Sequence, residues 1–266
     1  MRKVLLCYPG GKHKALTLSY DDGRTADRRL VSILNRSGIK GTFHLNSGLF
    51  GAGDRLTEEE ALQLYAGHEV SAHTLTHPTI ARCSKEQLVY EFTEDRKNLE
   101  RIFGYTVRGM SYPNGSFNRQ IKEMLPYLGI EYARVVETTG TFAMPDDWLE
   151  WKPTCHHKRD LMKLAETFIG LHKQQYLYLM YVWGHSYEFD NDDNWELIEQ
   201  FCEYAGGRDD IWYATNMEIY DYVQAFRQLK FSASQEFVWN PGASSVWLSV
   251  DGQPVEAKGG VQTSLL

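Results

Sequence analysis

Leu16-Thr17-Leu18-Ser19-Tyr20-Asp21-Asp22-Gly23 decides the fold of this chain. Its first five residues carry a buried-strand pattern, and two carboxylates and a glycine follow at once. Successive side chains of a regular strand point to opposite faces, so Asp21 and Asp22 converge on one site only if the strand ends there and the chain turns. Gly23 permits that turn. Adjacent carboxylates at a strand's carboxyl end are where an α/β fold places chemistry, one to hold a cation and the other to move a proton. The residues alone leave open which aspartate does which. The competing reading is an acidic surface turn, because Asp-Gly is an ordinary turn signal.

Outward from this stretch, strand and helix alternate. Leu30, Ile33 and Leu34 stand at helical spacing between Thr25 and Ser37, and Gly38 stops that helix. Lys40 to Asn46 reads as a second strand. Thr57-Glu58-Glu59-Glu60 opens a helix with a capping-box spacing, and His68 to Ala72 is a third strand. A long amphipathic helix from Ser84 to Phe103 turns Leu88, Phe92, Leu99 and Ile102 inward, and Val107 to Tyr112 follows as a strand. The alternation continues through 121–128, 131–136, 160–171, 175–183, 194–204, 211–215 and 217–229. About seven such units in one domain predict a parallel sheet closed into a distorted (β/α) barrel over residues 1–230. Past Lys230, short strands around turns predict a small β-rich extension over residues 231–266, packed on the barrel. No Gly-x-Gly-x-x-Gly or Walker pattern follows any strand, which argues against a nucleotide fold.

The chain has 266 residues, 42% of them hydrophobic and 24% charged, enough for one large domain with a full core. A net charge of -7 supplies no basic stripe, so no nucleic-acid or membrane partner is expected. The four-residue apolar run before Pro9-Gly10-Gly11 is too short for a signal peptide, and a soluble, cytoplasmic protein is the expectation. Cys7, Cys83, Cys155 and Cys202 are scattered and read as reduced thiols. The oligomeric state is left open.

The third strand runs into Ser71-Ala72-His73-Thr74-Leu75-Thr76-His77-Pro78. Two histidines four apart face one metal if the intervening residues make a helical turn. Two neutral imidazoles and one carboxylate suit Zn²⁺ or a similar divalent ion and leave a coordination position open, as in a catalytic site.

Here the chain resembles the polysaccharide deacetylase family, also called the NodB-homology domain or carbohydrate esterase family 4. Tyr20-Asp21-Asp22-Gly23 matches the family's first motif, Thr-Phe-Asp-Asp-Gly, from the aromatic onward. His73 to Pro78 matches its second, His-Ser/Thr-x-x-His-Pro. The resemblance implies a metal-dependent hydrolase removing N- or O-acetyl groups from a carbohydrate. Asp21 would be the base, and Asp22, His73 and His77 the ligands of Zn²⁺ or, failing that, Co²⁺, Ni²⁺ or Mn²⁺. The third motif, Arg-x-Pro-Tyr-Gly, is matched in part by Ser111-Tyr112-Pro113-Asn114-Gly115. Ser111 stands where the base-orienting arginine belongs; Arg108, three residues earlier, is either a replacement for that charge or an ordinary surface arginine. The backbone N–H of Asn114 remains available as an oxyanion donor, because that role needs no particular side chain. His185, in Trp183-Gly184-His185, stands where the family carries its general acid. Tyr112, Pro113 and Trp183 are the expected substrate-lining residues. Asp147 and Trp148, or Trp151 to His157, are candidates for the remaining wall.

Two other readings compete. One is a metal amidohydrolase acting on a small non-sugar amide, favoured by the lack of an export signal. The other is a sugar-binding protein with a relict site, suggested by Ser111 and by 7 Trp and 16 Tyr available for stacking.

Overall fold

A computed structural model describes residues 2–266. Its strands are β1 (Val4–Cys7), β2 (Lys14–Asp21), β3 (Gly41–Leu45), β4 (Glu69–Ala72), β5 (Gly109–Ser111), β6 (Tyr132–Arg134), β7 (Cys155–His156), β8 (Tyr178–Gly184) and β9 (Ile211–Tyr213), followed by β10 (Lys230–Phe231), β11 (Phe237–Trp239), β12 (Val246–Val250), β13 (Gln253–Ala257) and β14 (Gln262–Ser264). The α-helices are α1 (Asp27–Arg36), α2 (Glu58–Leu64), α3 (Lys85–Phe103), α4 (Arg119–Met124), α5 (Leu161–Ile169), α6 (Tyr187–Asn191), α7 (Trp195–Ala205) and α8 (Asn216–Gln228).

The parallel sheet runs β6-β5-β4-β3-β2-β8-β7, with β9 beside the start of β2. A parallel bridge from Arg134 to Trp151 ties the stretch leading into β7 back onto β6. The sheet thereby curls into the distorted (β/α) barrel that the alternation of elements predicts, with seven strands in the wall.

Strand β2 shows how the barrel positions its chemistry. All eight of its residues are buried. Leu16, Leu18 and Tyr20 join the large apolar cluster that also holds residues of α1, α3, α5 and α7. The alternate residues face inward: Thr17 Oγ1 donates to Asn216 Oδ1 at 2.8 Å, and Ser19 Oγ lies 3.0 Å from Tyr181 Oη. Asp21 continues this inward series at the carboxyl end.

The C-terminal strands do not stand alone, because the chain's first strand completes their sheet. β1 pairs antiparallel with β12, and β12 with β13, while β10, β11 and β14 form a second small sheet. A continuous apolar cluster joins them to the barrel through Tyr8, Tyr132, Trp151, Tyr222, Val238 and Leu248. Tyr222 Oη donates to the Cys7 carbonyl at 2.6 Å and accepts from the Trp247 N–H at 2.8 Å.

Elements depart from the sequence expectation where a local signal was misjudged. The helix expected over 121–128 ends at Met124 and tightens to a 3₁₀ turn, since Pro126 supplies no N–H and Gly129 takes φ 73°. The short helix α6, beginning two residues after His185, was not anticipated. All four cysteines are free, and among the described residues no helix is long and apolar enough to cross a membrane.

Candidate active site

The turn after β2 is what lets adjacent aspartates share a site. Asp22 takes φ 84° and Gly23 φ 63°, and the Asp22 N–H donates to the His44 carbonyl at 2.9 Å. Strand alternation alone would send the Asp22 side chain outward. The left-handed turn instead brings both carboxylates to His73, whose Nε2 lies 3.8 Å from Asp21 Oδ2 and 4.0 Å from Asp22 Oδ1.

His73 and His77 meet without the helical turn expected for them, and this is a correction. Residues 73–78 form an irregular loop in which Thr74 has φ 65° and His77 φ 60°. The loop is held from three directions. The Asn46 amide donates to the carbonyls of His73 and Thr74 at 2.5 and 2.9 Å. Asp95 Oδ2 accepts from the His73 N–H at 3.1 Å, and Glu91 accepts from both the N–H and the hydroxyl of Thr76. Glu91 and Asp95 share the buried face of α3 with Leu88, Phe92 and Leu99. Two carboxylates on an otherwise apolar stripe were the sequence signal for this support, and it was missed.

One ligand atom from each of Asp22, His73 and His77 lies within 4.8 Å of the others. Asp22 Oδ1 is buried without a hydrogen-bond partner and faces His77 Nε2 at 3.7 Å. His73 Nδ1 lies 2.9 Å from the Ser111 carbonyl, an acceptor, so the ring proton sits on Nδ1 and the Nε2 lone pair faces Asp22. Burial pushes the His73 imidazole down to about 4, against the pull of Asp21, so the ring is neutral at pH 7. An orphaned carboxylate oxygen beside two imidazoles, one of them fixed in the ligating tautomer, fits a divalent metal ion.

Asp21 is tied differently. Its Oδ1 accepts from the Ser111 hydroxyl at 3.2 Å, and its Oδ2 accepts from the guanidinium of Arg134, which is wholly buried. Burial pushes the Asp21 carboxyl up, but Arg134, followed by His73, outweighs burial and holds it well below the usual carboxylate range. The Arg134 guanidinium also stacks over the Trp183 ring, 4.2 Å from its centroid.

Of the two readings of Arg108 the structure agrees with the surface one, and Arg134 is the arginine that meets Asp21. Arg108 lies before β5 and is spent on Asp221 and Glu131 at the opposite end of the strand. Arg134 ends β6, one strand over from Ser111, which it pairs in register. A charged residue closing the apolar stretch Tyr132-Ala133 was visible in the sequence, but only closure of the barrel aims it at Asp21.

Of the expected substrate-lining residues, Tyr112 and Pro113 are buried. Tyr112 stacks on Phe117 and donates its hydroxyl to the Leu149 carbonyl at 2.8 Å, so its side chain supports the loop and is not offered to a substrate. Asn114 caps the loop at φ 55° and ψ 18°. Trp183 lies at the end of β8, edge-on to His156. Asp147 caps a short turn and pairs with Lys122, and Trp148 packs on Trp151 and Tyr220, so neither reaches the mouth. His156 and His157 do reach it.

His185 follows β8 at the same end of the barrel as Asp21. Glu188 Oε2 accepts from the His185 N–H at 3.0 Å and lies 3.3 Å from its Nδ1. Burial lowers the imidazole's proton affinity, but the Glu188 hydrogen bond and the charges of Asp21 and Asp22 outweigh it and raise the pKa. Glu188, three residues beyond His185 and in the first turn of α6, was missed by the sequence reading, because the turn that brings it back to His185 belongs to a helix the sequence did not signal.

A family model described as polysaccharide deacetylase matches residues 9–133. Chitin deacetylase 1 of Cryptococcus neoformans var. grubii is 30% identical over 117 residues, 42% of this chain and 24% of that protein. The peptidoglycan-N-acetylglucosamine deacetylase PgdA of Listeria monocytogenes is 26% identical over 116 residues, again 42% of this chain and 24% of that protein. The chain therefore spans about a quarter of the length of these curated relatives. Among solved structures, a protein from Mycobacterium smegmatis described as a polysaccharide deacetylase superposes with a TM-score of 0.62 at 15% identity, over 85% of this chain and 96% of that one. The Xyl-CE4 domain of a multidomain xylanase, from the hindgut metagenome of Trinervitermes trinervoides, does so with a TM-score of 0.53 at 17% identity, over 80% and 92%. At these identities the likeness is one of fold.

Proposed function

We propose, from the match of residues 9–133 to the polysaccharide deacetylase family model, that this chain hydrolyses acetyl groups from a carbohydrate with a divalent metal ion held by Asp22, His73 and His77. The observation that carries this reading is the division of labour between neighbouring aspartates. Asp22 presents an unpartnered oxygen to two imidazoles, whereas Asp21 is engaged by Arg134 and Ser111.

A cation in that set would polarise the acyl oxygen and acidify water, Zn²⁺ being the first choice for two imidazoles and a carboxylate. The chain's own residues then do the following. Asp21, kept ionised and oriented by Arg134, accepts a proton from the attacking water. Ser111 steadies the other Asp21 oxygen and, through its carbonyl, the tautomer of His73. The Asn114 N–H is the backbone donor assigned to the developing oxyanion. His185, its proton retained with help from Glu188, delivers that proton to the leaving amine or alkoxide.

Arg134 weighs against a relict site, because it returns to Asp21 the positive charge whose loss at Ser111 suggested one. The test is acetate release from acetylated chitooligosaccharides and acetylated xylan, with a cyclic amide in parallel, by protein as purified, stripped with chelator and reloaded. Chelator-sensitive acetate release supports the proposal. Turnover of the cyclic amide alone moves the reading to a small-amide hydrolase, and no turnover with sugar binding retained moves it to a binding protein.

A further inference from the structure

Beside the site already described, the barrel mouth holds a second cluster of metal-ligating side chains. His156 ends β7, His157 follows it, His185 follows β8, and Glu188 lies on α6. Glu188 Oε2 is 3.1 Å from His156 Nε2, 3.5 Å from His157 Nε2 and 3.3 Å from His185 Nδ1. Ligand atoms of His156, His157 and Glu188 all lie within 4.8 Å of one another.

Hydrogen bonding inside the cluster does not satisfy it. Glu188 Oε2 already accepts from the His185 N–H, and a carboxylate oxygen has room for about two acceptor contacts, fewer than three imidazoles require. His157 is the residue left over. It is 1% exposed, and neither of its ring nitrogens has a hydrogen-bond partner. Its ring is clamped between Tyr20 and Phe189, at centroid distances of 5.8 and 4.2 Å. Its Nδ1 abuts Gly184 so closely that a Cβ there would lie 2.1 Å away. Nε2 is therefore the atom free to take a ligand, and it is the one that faces Glu188.

We propose that His156, His157 and Glu188 form a second divalent-cation site, separate from Asp22, His73 and His77. Imidazoles with one carboxylate select a borderline ion of the Zn²⁺, Co²⁺ or Ni²⁺ class. Bonds of about 2.0–2.1 Å in a tetrahedral centre set ligand atoms roughly 3.3 Å apart, which the distances from Glu188 Oε2 to the His156 and His157 nitrogens bracket. Two features make this the weaker of the two sites. Lys158 Nζ lies 3.2 Å from Glu188 Oε1 and competes for the carboxylate, though it is also held by Asp192 at 2.7 Å. The Lys158 N–H meets His156 Nδ1 at 3.2 Å, a contact given up when Nε2 binds a cation and the proton moves to Nδ1. The site does not depend on the deacetylase reading.

The experiment counts Zn²⁺ on the full chain after chelator stripping, by calorimetric titration and by elemental analysis after dialysis. The wild type is expected to take up two equivalents per chain, a tight one and then a weaker one. His156→Gln and Glu188→Gln should each lose the weaker equivalent and keep the tight one, with thermal melting confirming that they fold. The Asp22→Ala/His77→Ala double variant should keep only the weaker equivalent. A single wild-type equivalent that the Asp22→Ala/His77→Ala variant loses, or two retained in His156→Gln and Glu188→Gln, overturns the proposal, whereas a single equivalent that the double variant keeps and His156→Gln loses supports this site and leaves the first one empty. If both cluster variants fail to fold, the double variant decides: one equivalent supports the second site and none overturns it.

Discussion

Between β2 and β5 the mouth of the barrel takes its side chains from contiguous stretches, Asp21-Asp22 and His73 to His77. From β6 to α6 it takes them from three separate places, as Arg134, the pair His156-His157, and His185 with Glu188. In the first half, backbone geometry does the positioning: left-handed residues at Asp22, Thr74 and His77 turn neighbouring side chains onto one point, and Asn46, Glu91 and Asp95 clamp the loop. In the second half, barrel closure does it, bringing the ends of three strands together around Asp21 and Glu188. The family match covers the first half and stops at residue 133, one residue before Arg134. Short motifs thus record the half that is local in sequence. The half that is local only in space has to be read from the closed barrel.

If the first half is the metal-holding half, its aspartates must fail differently. Asp21→Asn is expected to reduce acetate release to background while the tight equivalent of metal is retained, and His77→Ala to lose both. Equal metal loss in the two variants would merge roles that the proposed mechanism separates.

The second half should then change rate without emptying the first site. His185→Ala is expected to lower kcat roughly 10²- to 10⁴-fold, the usual weight of a positioned proton donor, with the tight equivalent still bound. A variant with near-normal rates would detach β8 from the chemistry. Arg134→Met comes next in size. It leaves Asp21 in place but frees its orientation and lets burial push its pKa up, and misplacement of this kind costs roughly 10²-fold in kcat. Arg108→Ala, measured beside it, should leave the rate unchanged. The reverse ranking would restore Arg108 to the role that its place in the sequence suggested.

How much was legible follows the same division. The strand-and-helix alternation and its glycine stops identified a barrel, because each βα unit carries its own periodicity. Asp21, Asp22, His73 and His77 were legible because their spacing is part of their chemistry. Arg134 was not, because an arginine after Tyr132-Ala133 has the same sequence signal whether it faces solvent or a carboxylate. The turn at His73 departs from the expectation for a related reason: i, i+4 spacing suggests a helix, and the contacts to Asn46, Glu91 and Asp95 hold it in another shape. Strand β1 was not read as a strand, because its partner β12 lies 240 or more residues away.

The smallest expected effect tests the seam between the halves. Asp27, at the start of α1, is wholly buried; its Oδ2 accepts from the Tyr65 hydroxyl at 2.5 Å, and Ser186 of the second half lies beside it. Burial is the largest influence on its carboxyl, and with the charges of Asp22 and Asp21 it outweighs the Ser186 and Tyr65 contacts, raising the pKa from 3.8 to about 7. The sign follows from comparing folded and unfolded chains. Below pH 3.8 both hold the proton and Asp27 contributes nothing adverse. Above it the unfolded chain releases the proton while the folded one keeps it, so stability is lost progressively until pH 7, beyond which the deficit is constant. Asp27→Asn carries no such deficit and can still accept from Tyr65. Its melting temperature should match the wild type near pH 4, exceed it increasingly up to pH 7, and stay ahead by a fixed margin above that, equivalent to roughly 1–4 kcal/mol. Melting curves of the two proteins at pH 4, 5.5, 7 and 8.5 measure the gap. A gap that does not change with pH would mean that Asp27 is ionised in the folded chain, which would leave a buried negative charge at the seam between the two halves of the mouth.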